Sequence, residues 1–456
     1  MKPLTLRFVL DTLGLELPPG ADPTLTFTDL CIDSRACSDG GLFVPILGER
    51  FDGHDFIPSA FLAGATATLS DRDLPPQLPT DKIVLRVSDT LQALQTLTRA
   101  YRQLFCIPIV GITGSVGKTT TKELVYSVLS QQYNTLKNQG NLNNQTGVPA
   151  TLLRLEDAHQ AAVVEMGTNH FGEIDRLATM VQPDVCLVTN IGESHIEFLG
   201  SKEGILRAKS EMFAHMRPGG TIIVNGDDPL LATLRGKYPN ITTYGLGVQN
   251  DVYARDIREL GLLGSAFTLH YSGGTLAVHV PAPGAHMVLN ALAAFCAGVA
   301  LGVDPDSIAR GIEAFTSSTG RMNIAQTSTL TLLDDAYNAS PTSMRASIDV
   351  AVSLPGRSVL VLGDMLELGK DAQAYHSALG EYCAQKKAAL VLTVGALSAH
   401  LQSAAKAGGV NALHFESTAA LTEALPGLLQ PGDTVLVKAS HGMHFEEVCT
   451  YITSHF

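Results

Sequence analysis

The sequence predicts an α/β protein of three consecutive domains: a small α/β unit, a central parallel-sheet unit built around a phosphate loop, and a C-terminal doubly wound unit. Three observations carry this expectation. Uninterrupted apolar runs alternate with helical patterns from residue 107 to about residue 318, as expected for parallel strands buried on both faces. A glycine-rich turn, GSVGKTTT at residues 114–121, joins one of these runs to a helix. A second set of strand candidates, TLTLLDDAYN, SVLVLGDM, ALVLTVG and DTVLVKAS, follows residue 320 with helical segments between them.

A chain of 456 residues is long enough for several domains of about 150 residues each. The expected bounds are 1–88, 89–318 and 319–456. In the first unit a strand at Gly41–Leu47, a turn at Gly48-Glu49-Arg50, a helix and a further strand follow one another. Residues 89–105, DTLQALQTLTRAYRQLF, have apolar positions at helical spacing, with Asp89 at the N-cap. Central strands are expected at 107–112, 161–166, 184–190 and 221–225, with helical stretches between 119 and 132 and between 201 and 216. Residues 240–282 read as a small antiparallel insertion, and helix 285–301 follows it.

Composition narrows the function classes. A hydrophobic content of 45% with 16% charged residues describes a well-cored globular chain. A formal charge of −13 argues against a non-specific nucleic-acid binder, which needs a basic face. No apolar run approaches the roughly 18 residues of a membrane span, and the N-terminus lacks the basic head and apolar centre of a signal peptide. Seven cysteines without CxxC pairing read as reduced, mostly buried thiols of a cytoplasmic protein, not a disulfide frame or a zinc site.

The segment PIVGITGSVGKTTTK, residues 108–122, points to nucleotide phosphate binding. Glycines let backbone N–H groups approach phosphate oxygens, and a helix N-terminus adds a favourable dipole. Gly114, Ser115, Val116, Gly117, Lys118, Thr119 and Thr120 form the cradle, with Lys118 reaching the β/γ-phosphates and the Thr119 hydroxyl placed for Mg²⁺. The strict Walker pattern wants glycine at 112, where the chain has Ile112.

Other candidates each carry two readings. Glu165 ends the strand AAVVE, where a carboxylate is either a Mg²⁺ ligand or a solvated strand-end acid. His195, in the loop IGESHIEFLGS, is either a metal ligand or a residue capping the next helix, and Lys209 by itself reads as a surface lysine. Asn141, Asn143 and Asn144, within NQGNLNNQTGVP, satisfy their own turns or contact a sugar or phosphate. Asn290 lies in an apolar helix and needs a partner, which an adenine edge or a backbone carbonyl would supply. Arg321 sits at a domain junction, Asp334 and Asp335 close a strand, and Lys438 ends another. His441 and His444 lack the further ligands a zinc site needs.

Taken together, GITGSVGKTT, VVEMGTNH, TNIGESHIEFLGS, RAKSEMF, HMVLNALAA, TGRM, DDAYNASPTSM and LVKASHGM resemble the Mur ligase superfamily, in the same order and across essentially the whole chain. GERFDGHDFI, NLNNQTGVP, GTNHFGEI and DDAYNASP resemble its branch that adds D-Ala-D-Ala. The resemblance implies a UDP-binding first domain, a central ATPase domain and a Rossmann-like third domain. It implies an ATP- and Mg²⁺-dependent ligase that joins D-Ala-D-Ala to UDP-MurNAc-tripeptide through an acyl phosphate, as a cytoplasmic monomer in cell-wall synthesis. A sister ligase that adds one amino acid is the nearest alternative, and a P-loop switch acting on a protein is a distant one.

The resemblance also implies roles. The Glu165 and His195 positions serve Mg²⁺, together with Thr119, and the Lys209 position is a lysine often carbamylated, which turns an amine into an oxygen ligand. Asn290 contacts adenine, while Arg321 and Asp335 serve phosphates and ribose. Ser34 and Arg35, with Asp52 and His54, belong to the UDP-binding region. Asn141, Asn143, Asn144 and Asn169 join Asn338, Lys438 and Ser440 as substrate-side residues. Met287 replaces an asparagine of the family's HN-x-x-N pattern, and Ala439 and His441 replace the Gly and Arg of a KGSR-like motif.

Overall fold

The computed structural model describes every residue except 49, 75–78, 80 and 318–320. Glu49 of the expected turn, Thr319 and Gly320 of the TGRM phrase, and the expected boundary between 318 and 319 lie outside the described residues.

Three main sheets organise the chain. Strands Asp29–Cys31, Gly41–Phe43, Ala65–Ser70 and Ile83–Arg86 form a parallel sheet in that order. The expected strand at 41–47 therefore ends early, at Phe43. The central sheet has nine strands. From one edge they are Gly274–Val280, Ser265–Tyr271, Val252–Glu259, Ile241–Gly245, Thr221–Asn225, Val185–Val188, Ile109–Thr113, Ala161–Glu165 and Thr135–Lys137. The third sheet runs Asn323–Gln326, Thr331–Asp334, Thr434–Lys438, Ser358–Gly363, Leu390–Val394 and Asn411–Phe415, all parallel except the first.

Burial on both faces explains the apolar strands of the central sheet. Ile109 packs into one cluster with Leu94, Leu97 and Leu177, whereas its neighbours Val110 and Ile112 pack into another with Val128 and Leu292. Helices therefore cover both sides, as the period-two alternation of side chains requires. Helix Thr90–Arg102 starts at Asp89, whose carboxylate accepts from the Gln92 N–H at 2.8 Å. It is tied to the central unit where the Tyr101 hydroxyl donates to the Leu155 carbonyl at 2.5 Å.

Two expectations need correction. The antiparallel expectation for residues 240–282 holds only from Val252 onward, and these strands extend the central sheet instead of forming an insertion of their own. Strand Ile241–Gly245 pairs in parallel with Thr221–Asn225 and with Val252–Glu259, whereas Ser265–Tyr271 pairs antiparallel with both Val252–Glu259 and Gly274–Val280. Strand Val252–Glu259 is exposed over its outer half, so its polar composition resembles that of a free hairpin although it extends the buried sheet. The cysteines are not all thiols either. Cys31 and Cys37 are disulfide-bonded, with Cα atoms 5.6 Å apart. A turn at 32–36, closed by the Ala36 N–H on the Asp33 carbonyl at 3.0 Å, doubles the chain back and brings the two together. Cys186, Cys296, Cys383 and Cys449 are buried thiols, and Cys106 is an exposed one.

Strand Ile109–Thr113 lies between Val185–Val188 and Ala161–Glu165, all three parallel. Their C-terminal ends open at one edge, where parallel sheets bind ligands. Among the described residues no helix is long and apolar enough to cross a membrane.

Candidate active site

The phosphate loop leaves strand Ile109–Thr113 and enters helix Lys118–Leu129. Ile112 is fully buried and still paired within the strand, opposite Glu165 and Leu187, which explains the departure from the Walker spacing. The loop turns one step later. Gly114 adopts φ +152°, and a Cβ there would stand 1.8 Å from Thr189 Oγ1. Gly117 is left-handed at φ +81°, a conformation glycine adopts without strain. The next strand's loop pins the turn from outside: the Val116 N–H donates to Asn190 Oδ1 at 2.9 Å, and Thr189 Oγ1 donates to the Val116 carbonyl at 2.6 Å.

Lys118 folds back over this loop, donating to the Gly114 carbonyl at 2.9 Å. Burial lowers the pKa of its amine below the usual lysine value, Glu165 opposes that shift, and Arg321 adds to it. Among the described residues, four buried oxygens around the loop find no hydrogen-bond partner: Thr113 Oγ1, Ser115 Oγ, Thr119 Oγ1 and Glu165 Oε2. Buried polar atoms are ordinarily satisfied. Two of these, from Thr119 and Glu165, are the hard oxygen donors that Mg²⁺ takes, so the donor set fits that ion.

A cavity of about 810 Å³ opens beside the loop, between the central and C-terminal sheets. It is lined by Ser115, Val116, Gly117, Lys118 and Thr120 of the loop, and by Glu165, His195, Asn290 and Arg321. Asn141, Asn143, Asn144 and Asn169 line one lobe, and Asp335, Asn338 and Lys438 line the facing wall. Gly114 and Thr119, of the same loop, are not lining residues. Lys209 is not the surface residue its local sequence suggests. It is 2% exposed, and burial followed by the charge of Lys118 holds its pKa well below the usual lysine value.

Several side chains are already engaged. Asn143 Nδ2 donates to Glu165 Oε1 at 2.7 Å. Asn144 Oδ1 accepts from the Gly147 N–H at 2.8 Å, satisfying its own turn. Asn290 Oδ1 accepts from the Thr121 hydroxyl at 3.2 Å, and its Nδ2 lies 3.8 Å from Met287 Sδ. Its partner here is therefore a hydroxyl, not a backbone carbonyl. His195 heads helix Ile196–Leu199 without capping it, and its Nδ1 meets Glu367 Oε2 at 2.5 Å. Lys438 Nζ and Asp335 Oδ2 form a buried ion pair at 2.5 Å. The Arg321 guanidinium stacks 3.8 Å over the Tyr337 ring, which itself stacks on His441 at 5.6 Å.

The first-domain candidates do not join this cavity. Arg35 is exposed and paired with Asp33 at 2.8 Å, and Ser34 lies beside it in the disulfide-closed turn. His54 is buried between Asp52 at 2.8 Å and Asp71 at 3.3 Å, with Arg72 bridging both carboxylates, so these side chains hold their own loop. Ser440 accepts from the Leu366 N–H at 2.9 Å and does not line the cavity. Among the described residues no three His, Cys, Asp or Glu side chains converge as a metal cluster.

Sequence reasoning missed Lys122, Glu193, Tyr337 and Glu367. Lys122 carried a legible signal: it shares a helix face with Val125 and Leu129, at i+3 and i+7, where a lysine is out of place. Glu193 and Glu367 carried none, because their partners Thr342 and His195 lie far off in the chain.

Residues 26–102 match the Mur ligase family, catalytic domain; residues 112–298 match the Mur ligase middle domain; and residues 320–441 match the Mur ligase, glutamate ligase domain. The UDP-N-acetylmuramoyl-tripeptide–D-alanyl-D-alanine ligase of Bacillus subtilis strain 168 is 41% identical, over 91% of this chain and 91% of that protein. A crystal structure of MurF from Acinetobacter baumannii superposes with a TM-score of 0.92 at 35% identity, covering 100% of this chain and 99% of the other. MurF from Thermotoga maritima, solved in complex with ADP, gives a TM-score of 0.84 at 27% identity, covering 93% of this chain and 97% of the other.

Proposed function

The chain belongs to the Mur ligase family, and from that membership we propose that it joins D-Ala-D-Ala to UDP-MurNAc-tripeptide at the expense of ATP, in peptidoglycan precursor synthesis. The observation that carries the proposal is the shared cavity, with a phosphate loop on one wall and the Lys438–Asp335 pair of the C-terminal sheet on the other.

In this reading the γ-phosphoryl group of ATP passes to the tripeptide's terminal carboxylate, giving an acyl phosphate and ADP. The dipeptide's amine then attacks the acyl carbon, phosphate leaves, and the amine gives up a proton. Lys118 and Arg321, both lining the cavity, offset charge on the transferring group, where positioning and electrostatics supply most of the rate. The Tyr337 ring fixes the plane of the Arg321 guanidinium. We assign Mg²⁺ to Thr119 and Glu165, whose orphaned oxygens fit it, with His195 alongside and Lys209 as a further ligand once carbamylated. When bound, the ion neutralises charge on the phosphate oxygens. Asn290 takes the adenine side, and Asp335 with Lys438 orders the facing wall. Asn141, Asn143, Asn144, Asn169 and Asn338 take the peptide parts, while Ser34 and Arg35 take the UDP end. Asp52 and His54 support that end by holding the neighbouring loop. We further propose that the enzyme works as a cytoplasmic monomer on these small molecules.

The test is phosphate release with UDP-MurNAc-tripeptide, ATP and Mg²⁺, with and without D-Ala-D-Ala. Strong dependence on the dipeptide is expected. Equal stimulation by a single amino acid moves the chain to a sister ligase, and release indifferent to any amine leaves only a nucleotide hydrolase.

A further inference from the structure

Lys122 is a lysine with no exposed surface, on the helix that begins at the phosphate loop. A buried ammonium is stable only when paired and hydrogen-bonded. Its Nζ donates to the Gly140 carbonyl at 3.0 Å and the Asn138 carbonyl at 3.2 Å, and it lies 3.2 Å from Glu123 Oε1. Glu165 Oε2, the carboxylate oxygen without a hydrogen bond among the described residues, stands 4.0 Å away.

The two carbonyls belong to the asparagine-rich loop, and that loop aims Glu165. The Glu165 N–H donates to Asn138 Oδ1 at 2.7 Å, and Asn143 Nδ2 donates to Glu165 Oε1 at 2.7 Å. The Gly167 N–H donates to the Asn143 carbonyl at 2.8 Å, closing the ring of contacts around the strand end. One oxygen of the carboxylate is thus fixed by the loop, while the other is left free to face a ligand.

We propose that Lys122 is a positioning residue for Glu165. It staples the 138–143 loop to the phosphate-loop helix, and through Asn138 and Asn143 it holds the carboxylate with Oε2 free for the metal. The inference rests on the assignment of Mg²⁺ to Glu165 made above. Partners of this kind, one step removed from a metal ligand, change metal affinity by about 10–100-fold when removed.

The sign of the effect separates positioning from simple electrostatics. Deleting a cation about 4 Å from a metal-binding carboxylate would by charge alone tighten metal binding. Losing the staple releases the loop and weakens it.

The experiment measures Mn²⁺ binding to the full chain in the presence of ADP, from the electron paramagnetic resonance signal of the free ion. Lys122→Met is expected to weaken Mn²⁺ binding by about tenfold or more, with ADP affinity in the absence of metal unchanged. Unchanged or tighter Mn²⁺ binding overturns the inference. An equal loss of metal-free ADP affinity also overturns it, because the defect then lies in the phosphate loop itself. If Lys122→Met does not fold, Asn143→Ala cuts the same chain of contacts one link further on, and unchanged Mn²⁺ affinity there overturns the inference. A wild-type chain that binds no Mn²⁺ with ADP overturns the metal assignment itself, and so is distinguished from a failure of Lys122 alone.

Discussion

His195 and Glu367 meet across the cleft between the central and C-terminal sheets, Nδ1 to Oε2 at 2.5 Å, and each holds a left-handed backbone, at φ 61° and 60°. Such conformations are uncommon for residues other than glycine and persist where the surroundings enforce them. Beside them, Thr342 donates to Glu193 at 2.7 Å and Lys202 pairs with the same carboxylate at 2.8 Å. The two domains are clasped at this edge. The double variant Glu367→Ala/Thr342→Val is expected to loosen the clasp and raise the radius of gyration in small-angle scattering, with each domain still folded. An unchanged scattering profile would show that other contacts set the arrangement.

Lys118→Ala should lower turnover by at least about 10²–10³-fold, the loss typical of one preorganised charge-stabilising group. UDP-substrate affinity, which we assign to the first domain, should stay nearly constant. Calorimetry showing that affinity lost as well would contradict the division of labour between domains.

Lys438→Met leaves the Asp335 carboxylate buried, with Ser347 at 2.6 Å and the Met322 N–H at 3.1 Å as remaining donors. Breaking one side of a buried pair costs about 3–5 kcal/mol. Chemical denaturation should report that loss, and Lys438→Met/Asp335→Leu should recover much of it. No recovery in the double variant would mean that the lysine acts through packing.

Asp33 offers a pH test. The Arg35 side chain holds its carboxyl down to about 2, below the ordinary 3.8. A depressed acid contributes stability that is full above about 3.8 and is lost as pH falls towards about 2. The group is exposed, so the stability effect is small. The midpoint itself is measurable by carbon-detected NMR, and Arg35→Ala should return it towards 3.8. A midpoint that ignores Arg35 would remove the pairing.

Thiol titration of the unfolded chain without reductant should find five groups, Cys106, Cys186, Cys296, Cys383 and Cys449, and seven after reduction. In the native state only Cys106 should react quickly, since the other four are buried. Seven thiols before reduction would mean that the turn carrying Ser34 and Arg35 is not cross-linked in the isolated protein.

The parts legible in the sequence were those written in local pattern. The phosphate loop, the strands flanking it and the Asp89 cap each follow from residues within one turn or one strand. What stayed hidden depends on partners distant in sequence. Asp335 and Lys438 each read as facing a ligand, yet 103 residues of separation conceal that they face one another. Lys209 looks exposed between Ala208 and Ser210, and only the packing of its helix buries it. Cys31 and Cys37 have no motif spacing, and a turn, not a pattern, joins them. The outer strands from 241 to 280 hide their allegiance for a related reason: a strand half open to water carries the polarity of a free hairpin even when it is paired on both sides.

The stack of Arg321 on Tyr337 gives the cavity an optical address. The chain contains no tryptophan, so Tyr337→Trp creates a protein with a single indole, seated where the guanidinium covers the ring at 3.8 Å. Emission from that one fluorophore comes from the wall facing the phosphate loop, against a background of tyrosines alone. Each arrival of nucleotide, peptide or metal could then be timed separately as a change in one dye.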